Sequence, residues 1–255
     1  EEMTNLSKDL RTELSSKAQI YSSKVTDALH DPDGTIKLQI TLNDGRAVET
    51  VLLTDKENRK TACVSCQAGC AMKCAFCQTG QLGLGRNLTY QEIVEEFFHL
   101  EKEAGTLDNI VFMGMGEPMM NLDAIREAVK FLTDKNGRNL SARRITLSTS
   151  GIIKGIYDLA DNGPSLRLAV SLTTADVELR KKLMPVTLGN PLPELKEAIK
   201  YYIEKTGRRV VFEYALVGGV NCEDRHAVEL AGKLRGMQCQ SRKGCITGAG
   251  SGVGL

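Results

Sequence analysis

Five of the chain's eight cysteines lie within fifteen residues, at positions 63, 66, 70, 74 and 77. Cys70, Cys74 and Cys77 have the spacing C-x3-C-x2-C. Cubane iron–sulfur clusters are held by cysteine thiolates, usually four of them. A loop that supplies three thiolates leaves one iron without a protein ligand, so the spacing predicts a [4Fe–4S] cluster with one open iron. The known chemistry that needs an open iron of this kind is the reductive cleavage of S-adenosylmethionine.

The same cysteines admit a second interpretation. Cys63-x2-Cys66 and Cys74-x2-Cys77 are two C-x2-C pairs, the pattern of a zinc knuckle. Only seven residues separate the pairs, which is short for a zinc ribbon, and Cys70 would be left without a role. Phe76, immediately before the last cysteine, is an aromatic group that can shield a cluster. The pattern therefore favours the cluster, and a non-enzymatic zinc-binding module is the alternative.

Composition limits the classes of protein to which the chain can belong. Its 255 residues are 42% hydrophobic and 25% charged, which suits one large domain or two small ones. The formal net charge is +1, from 33 basic and 32 acidic residues, so nucleic-acid binding cannot be argued from overall charge. Three local basic pairs give modest support for phosphate contacts, although solvated surface charge explains each of them equally well. The pairs are Arg143–Arg144, Lys181–Lys182 and Arg208–Arg209.

The chain has no apolar run near 18 residues, so we predict no membrane span. No basic segment followed by an apolar stretch opens the chain, so no signal peptide is visible. Clustered cysteines of this kind are more typical of a metal or redox site in the reduced cytosol than of secreted disulfides. The predicted location is therefore cytoplasmic. The first residue is not Met, which suggests a piece of a longer protein.

After the cysteines, segments with strand and helix patterns alternate. Short apolar strands are predicted at 109–113, 144–147, 166–172 and 209–215. Amphipathic helices are predicted at 90–103, 122–132, 152–159, 192–204 and 223–234. Thr89 is the predicted N-cap of the first of them. Such alternation indicates βαβ units and a mostly parallel sheet, and the predicted fold is an α/β partial (β/α) barrel.

A smaller unit precedes the cysteines. Its pattern predicts a helix over 4–20 and two strands, 36–42 and 47–53, joined at Asn43-Asp44-Gly45. Residues from 239 onward contain five glycines and show no periodicity. We therefore predict three parts, which are an N-terminal α+β extension over 1–58, the partial barrel over 59–237 and an irregular C-terminal tail over 238–255.

Polar groups follow the carboxyl ends of three consecutive predicted strands. Gly116 lets backbone approach a ligand closely, and Glu117 supplies a carboxylate that can hold an amino group. The stretches 146–151 and 170–174 supply hydroxyls at the next two strand ends. Ser and Thr at such positions also cap helices, so each motif alone is weak evidence. Three in succession favour one shared ligand site at the mouth of the barrel.

Together these motifs resemble the radical S-adenosylmethionine superfamily and, more narrowly, its RlmN/Cfr family. The cysteine loop alone indicates only the superfamily, and the combination of motifs indicates the family. The resemblance runs from about residue 3 to residue 237 and includes residues 3–11, 48–50, 63–70, 112–118 and 143–151. It implies a methyltransferase that modifies C2 of an adenosine in 23S rRNA and, in some bacteria, also in tRNA.

The resemblance assigns roles to individual residues. The family's cluster ligands fall on Cys70, Cys74 and Cys77. The positions that match its cofactor contacts are Gly116, Glu117, Ser148, Ser171, Leu172 and Thr173. Thr173 stands where the family has histidine, so a backbone contact can be kept there and an imidazole contact cannot. Glu49 matches the family's proposed base, and Cys66 receives no role.

The reaction that the resemblance implies uses two molecules of S-adenosylmethionine per turnover. One methylates a C-terminal cysteine, and the other is cleaved at the [4Fe–4S] cluster to a 5′-deoxyadenosyl radical. This radical takes a hydrogen from the methyl thioether, and the resulting carbon radical adds to the adenine ring. Cys63 matches the cysteine that attacks the methylated cysteine so that the product leaves. The methyl-carrying position aligns with Gly250, and the nearest thiol is Cys245.

The implied partners are RNA (23S rRNA, also tRNA) and an external electron donor such as flavodoxin, with the chain acting as a monomer away from membranes. The altered tail and Thr173 motivate an alternative, which is a radical enzyme of the same family with another nucleic-acid or small-molecule substrate.

Overall fold

The computed structural model describes residues 5–237 and 239–246, which are built around one open sheet of nine strands. In chain order the strands are β1 (Lys24–His30), β2 (Ile36–Thr41), β3 (Ala47–Thr54), β4 (Lys60–Cys63), β5 (Gln67–Gly69), β6 (Leu84–Asn87), β7 (Asn109–Phe112), β8 (Ile145–Thr149), β9 (Arg167–Ser171), β10 (Val210–Val217) and β11 (Cys239–Ile246). The order across the sheet is β1-β2-β3-β4-β7-β8-β9-β10-β11, and β5 and β6 pair separately.

The helices are α1 (Lys8–Lys17), α2 (Gln78–Leu82), α3 (Tyr90–Ala104), α4 (Leu122–Thr133), α5 (Ile153–Asn162), α6 (Val177–Leu183), α7 (Leu192–Thr206) and α8 (Asp224–Leu234). Every strand and helix predicted after the cysteines is present. Thr89 caps α3 as predicted, because its hydroxyl accepts the backbone N–H of Glu92 while the Glu92 carboxylate accepts that of Thr89. The short helices α2 and α6 were not predicted.

The predicted α/β partial barrel is confirmed. Strands β4, β7, β8, β9, β10 and β11 are neighbours and run parallel. Helices follow most of these strands, as βαβ units require. The described strands form an open sheet with β1 and β11 at its two edges.

The N-terminal extension continues the same sheet. Strands β1, β2 and β3 pair antiparallel, and β3 joins the parallel part by pairing antiparallel with β4. The predicted helix over 4–20 is shorter, since Ser7 caps α1 and the backbone becomes extended at Ala18. Strand β1 was missed because it is exposed along its whole length and therefore shows no alternation. The boundary between 58 and 59 stays a prediction.

The prediction of an irregular tail is wrong for residues 239–246. This segment is β11, which pairs parallel with β10 from Val210↔Cys239 to Val217↔Ile246. Backbone hydrogen bonding to the edge of β10 is enough to form the strand, and it needs no hydrophobic period in the sequence. Cys245 lies within β11, whereas residues 238 and 247–255, including Gly250, lie outside the described part of the chain.

Glu95 on α3 holds the segment between α1 and β1. Its carboxylate accepts the backbone N–H groups of Ser22 and Ser23 at 2.8 Å each, and also both of their hydroxyls. His99, one turn further along α3, lies 3.1 Å from the Ser23 hydroxyl and stacks on Tyr21. These contacts attach the N-terminal extension to the barrel.

Among the helices that the structure describes, none is long and apolar enough to cross a bilayer.

Glu96, the next residue of α3, is a fully buried carboxyl group. Its Oε2 accepts the backbone N–H of Ser65 at 2.9 Å, and within the described residues its Oε1 has no hydrogen-bond partner. Burial raises the pKa of Glu96 well above its usual value. The neutral acid therefore suits this position better than the carboxylate.

We expect Glu96→Gln to raise the free energy of unfolding at neutral and alkaline pH. The unfolded chain releases this proton at a lower pH than the folded chain, so wild-type stability falls by about 1.4 kcal/mol per pH unit between the two pKa values. The amide has no proton to release, so the advantage of the variant should grow as the pH rises from about 5 to about 8. Urea unfolding across this range measures it. Glu103→Gln, at an exposed position of α3, is the control. An advantage that does not change with pH would contradict the assignment.

Candidate active site

The parallel sheet has two unlike faces. On one face the side chains are apolar, buried and packed with the helices, and they include Ala62, Ile110, Phe112, Leu147, Leu168, Val170 and Phe212. The alternate positions lie on the other face, here called the open face, and they include the half-buried Cys63, Val111, Thr146, Ser148, Ser171 and Glu213. Parallel sheets are normally covered on both sides. The open face is therefore where this fold can accept a large ligand.

The cysteine loop leaves the sheet after β4 and returns through the β5–β6 hairpin. Gly69 is needed at the hairpin, since its φ is +88° and a Cβ there would lie 1.9 Å from the Gly83 carbonyl oxygen. The backbone N–H of Cys70 bonds to that same oxygen at 2.9 Å. Cys77 is the N-cap residue of α2. The hairpin and the short helix thus hold the loop at both ends.

The three predicted cluster thiols lie close enough to influence one another. Burial raises the pKa of Cys70 and brings that of Cys74 to about 12, and in both cases the neighbouring thiol of Cys77 contributes. Cys74 packs with Leu183 and Met184 in a small apolar cluster apart from the main core. Such thiols ionise readily only when a metal takes up their negative charge.

These residues fit an iron–sulfur cluster better than a zinc ion. The zinc alternative requires Cys66 and Cys74 to share one ion, yet Cys66 is buried in the main core and Cys74 belongs to the separate cluster. In the described part of the chain, no three His, Cys, Asp or Glu side chains converge closely enough to hold a single metal ion. Three soft thiols on one loop against an apolar wall are instead the donor set that a larger cluster uses.

Glu117 joins the ends of two strands. Its buried carboxylate accepts the backbone N–H and the hydroxyl of Ser150 at 2.7 and 2.6 Å, and the backbone N–H of Met119 at 3.1 Å. Burial raises the pKa of Glu117, and the hydrogen bonds from Ser150 oppose the rise. A ligand ammonium at this carboxylate would favour its charged form.

Gly116 allows the β7 turn to lie directly on β5. Its φ is +107°, and a Cβ would fall 2.6 Å from Gln67 Cβ and 2.9 Å from Cys66 Sγ. Gln67 also accepts the backbone N–H of Glu117 at 2.8 Å. Cys66, to which the sequence assigned no role, is therefore a core residue that packs beneath this turn.

The structure separates the remaining predicted cofactor residues into two groups. Ser148 and Ser171 lie on the open face, at the ends of β8 and β9. Leu172 packs in the main core, and Thr173 is buried with a φ of +63°. The Leu172 side chain thus lies away from the open face, which leaves its backbone for a ligand. The Thr173 carbonyl already accepts a hydrogen bond from Asn221 at 2.7 Å.

Cys63 and Glu49 share the open face. Cys63 is paired with Val51 of β3, and Glu49 lies two residues before Val51 on the same side of that strand. Burial raises the pKa of Cys63 to about 11, so this cysteine is a neutral thiol at neutral pH. The Glu49 carboxylate is half-exposed and pairs with Lys37 at 3.1 Å.

The basic pairs do not form one patch. Arg144 precedes β8 and Arg209 precedes β10, so both lie at the amino ends of the parallel strands. The turn that carries Gly116 and Glu117 lies at the opposite, carboxyl end. Lys181 and Lys182 lie on α6, which follows the carboxyl end of β9. Strand direction thus places the three pairs at opposite ends of the sheet, so they offer no single basic surface, and their contact with phosphates stays a prediction.

Arg180 is a site residue that the sequence did not reveal. It lies in α6, next to the two exposed or half-exposed lysines, and its helix is too short to show a period. The structure nevertheless buries it completely, between the carboxyl ends of β8 and β9 and the cysteine loop. No sequence signal distinguished it from its neighbours.

Comparison with known proteins places this geometry in a family. The Radical SAM superfamily model matches residues 64–231. The probable dual-specificity RNA methyltransferase RlmN of Treponema denticola is 60% identical over 239 residues, which cover 94% of this chain and 69% of that protein. Its counterpart from Treponema pallidum (strain Nichols) is 55% identical over 235 residues, which cover 92% of this chain and 69% of that protein. The crystal structure of a radical SAM methyltransferase from Sphaerobacter thermophilus is 43% identical, with a TM-score of 0.89 over 94% of this chain and 72% of that one.

An open α/β sheet with a C-x3-C-x2-C loop at its mouth defines a radical S-adenosylmethionine enzyme. Within that superfamily, the chain belongs to the RlmN family. The predicted cofactors, a [4Fe–4S] cluster and two molecules of S-adenosylmethionine per turnover, are those of this family.

Iron content after anaerobic reconstitution should divide the cysteines by role. Cys70→Ala, Cys74→Ala and Cys77→Ala each remove a thiolate from the predicted cluster and should lose most of the iron. Cys63→Ala should keep it. Cys66→Ala is the matched control, since the same change in a core position should cost about 1 kcal/mol of stability and no iron. Loss of iron from Cys66→Ala would contradict the assignment.

Gly116→Ala should lower the free energy of unfolding by about 1–3 kcal/mol, because it adds a clash with Gln67 and Cys66 to a strained φ. Gly45→Ala is the control, since Gly45 also has a positive φ but a Cβ there meets no atom within 4 Å. Urea unfolding of the two variants separates steric clash from backbone strain. Equal losses would show that close approach to β5 does not matter.

Proposed function

We propose that this protein methylates C2 of an adenosine in RNA, in 23S rRNA and also in tRNA, by radical chemistry. The observation that carries the proposal is the grouping of three loop thiols with Glu117, Ser148 and Ser171 at the carboxyl end of one parallel sheet. The dual-specificity RNA methyltransferases to which the chain is similar support the choice of substrate. Adenine C2 is electron-poor, so polar methyl transfer cannot reach it and a radical route is needed.

The cysteine loop and the strand ends would hold the cofactors. Cys70, Cys74 and Cys77 are the proposed cluster ligands. When bound, the cluster supplies the electron that cleaves S-adenosylmethionine reductively. Glu117 would hold the ammonium group of S-adenosylmethionine, because its buried carboxylate keeps lone pairs free beyond the bonds from Ser150 and Met119.

The remaining proposed cofactor contacts come from two kinds of group. Gly116 brings backbone close to the ligand, and Ser148 and Ser171 offer hydroxyls on the open face. Leu172 would contribute only backbone atoms, since its side chain packs in the main core, and Thr173 is proposed to contribute its backbone. A Thr173 that acts through its backbone does not need the imidazole of the family's histidine.

Cys63 and Glu49 are proposed to act in product release. Cys63 would attack the sulfur of the methylated cysteine as a thiolate and form a disulfide, while the bond from that sulfur to the RNA-bound carbon breaks. The carbon keeps the electron pair and takes up a proton, which completes the methyl group. A pKa near 11 means that a base has to remove the Cys63 proton first. Glu49 lies on the same face and is the proposed base. Glu49 must first leave its ion pair with Lys37. This pair is exposed to solvent and is therefore weak.

The proposed partners are RNA and an external one-electron donor such as flavodoxin. A reducing compartment suits both the cluster and the seven cysteines that the structure describes as free thiols. We therefore propose that the protein is cytoplasmic. We also propose that it acts as a monomer.

The test is methyl transfer from labelled S-adenosylmethionine to 23S rRNA fragments by the full-length protein, reconstituted with iron and sulfide under anaerobic conditions. We expect label at C2 of adenosine together with 5′-deoxyadenosine. Cys77→Ala, which removes one proposed ligand, should give neither product. 5′-Deoxyadenosine without labelled RNA would contradict the substrate and favour another one. One zinc per chain and no iron would overturn the radical chemistry itself.

A further inference from the structure

Arg180 makes hydrogen bonds to two strand ends and a loop from a fully buried position. Its Nη2 donates to the carbonyl oxygens of Ser150 at 2.7 Å and Ser171 at 3.1 Å. Its Nε donates to the Leu172 carbonyl oxygen at 3.0 Å, and its Nη1 to the Thr187 hydroxyl at 2.5 Å. All four acceptors are uncharged groups. The guanidinium thus fixes the ends of β8 and β9 relative to each other.

A buried guanidinium without a carboxylate partner is costly. Within the described residues, Arg180 forms no ion pair, and its helix packs on the cysteine loop where Cys74 contacts Leu183 and Met184. A guanidinium stays protonated at neutral pH, so Arg180 carries its charge there. The fold therefore keeps a positive charge in the helix that packs on the predicted metal-binding loop.

The helix that carries Arg180 is attached directly to that loop. The backbone N–H of Ala75 donates to the Leu183 carbonyl oxygen at 2.9 Å. Cys74 packs against Leu183 and Met184. Thr187, which accepts the bond from Arg180, donates its own hydroxyl to the Met184 carbonyl oxygen at 2.8 Å. Residues 177–188 thus connect the cysteine loop to the strand ends through a continuous set of contacts.

We propose that Arg180 is a positioning residue that sets the cysteine loop against the ends of β8 and β9 and supplies a fixed positive charge beside the bound cluster. The inference rests on the proposed cluster ligands. The strand ends that it holds are those that carry the proposed cofactor contacts Ser148, Ser171 and Leu172. One side chain would therefore determine both the orientation of the cofactor site and part of the electrostatic environment of the cluster.

The geometry requires arginine rather than lysine. A planar guanidinium offers five N–H donors in a fixed fork and can bond to acceptors on separate segments at once. A lysine ammonium at the same place keeps the charge but reaches fewer of the three carbonyl oxygens. Arg180→Lys and Arg180→Gln thus separate charge from positioning.

The charge is tested by the reduction potential of the reconstituted cluster, followed by electron paramagnetic resonance without S-adenosylmethionine. A nearby cation stabilises the more negative, reduced cluster. Arg180→Gln should therefore shift the midpoint potential to a more negative value, and should weaken iron binding about tenfold, as loss of a group behind metal ligands does. Arg138→Gln is the matched control, because Arg138 also bonds to a carbonyl oxygen, that of Leu107, but at the opposite end of the sheet. It should leave the potential unchanged.

Positioning is tested with Arg180→Lys. The potential should stay close to that of the wild type, while the spectral change produced by S-adenosylmethionine should require a higher cofactor concentration. If Arg180→Gln does not fold, Arg180→Lys decides alone. A midpoint potential that moves away from the wild-type value in Arg180→Lys, along with the loss of cofactor affinity, would contradict a separate role for the charge.

The outcomes distinguish this inference from the function on which it rests. A wild-type protein that takes up no iron–sulfur cluster refutes the proposed function. A wild-type protein with a cluster, together with an Arg180→Gln variant of unchanged potential and iron content, refutes only the role of Arg180.

Discussion

Burial of two of the three loop thiols, those of Cys70 and Cys74, is the constraint on which the rest of the site depends. A buried thiol resists ionisation, so the loop cannot hold thiolates without positive charge nearby. Iron of a bound cluster would supply most of that charge, and Arg180 is placed to supply more. The apolar wall of Leu183 and Met184 keeps water away from Cys74 and would make these charge interactions stronger. Stability of the empty protein and affinity for the cluster are thus linked through the same few groups.

The second constraint is that helices cover the parallel sheet on one face only. The covered face has a continuous apolar core, which gives the sheet its rigidity. The open face carries cysteine, threonine, serine and glutamate as well as valine and alanine, at alternate positions of the same strands. A ligand bound there meets side chains whose backbone is fixed by that core. This arrangement explains how Cys63 of β4 and Ser171 of β9, distant in sequence, come to share one surface.

Much of this could be predicted from sequence because it depends on local patterns. The spacing of Cys70, Cys74 and Cys77 predicts the [4Fe–4S] cluster that they would bind. Hydrophobic periodicity predicts the helices and strands that follow them in the chain. Features that depend on tertiary contacts could not be found in this way. Strand β11 forms because β10 has an edge to pair with, and Arg180 is buried because α6 docks on the cysteine loop. Cys66 resembles a ligand in sequence and is a core residue in space. Leu172 matches a cofactor contact in the family, yet its side chain packs with the helices.

We infer that the loop holds a cluster whose fourth iron is open to S-adenosylmethionine. Electron–nuclear double resonance on the reduced, reconstituted protein measures this directly, with S-adenosylmethionine isotopically labelled in its amino and carboxyl groups. We expect hyperfine coupling from both labels, because these groups would bind the iron that has no cysteine ligand. A fully reduced cluster in the presence of the cofactor with no coupling from either label would contradict it.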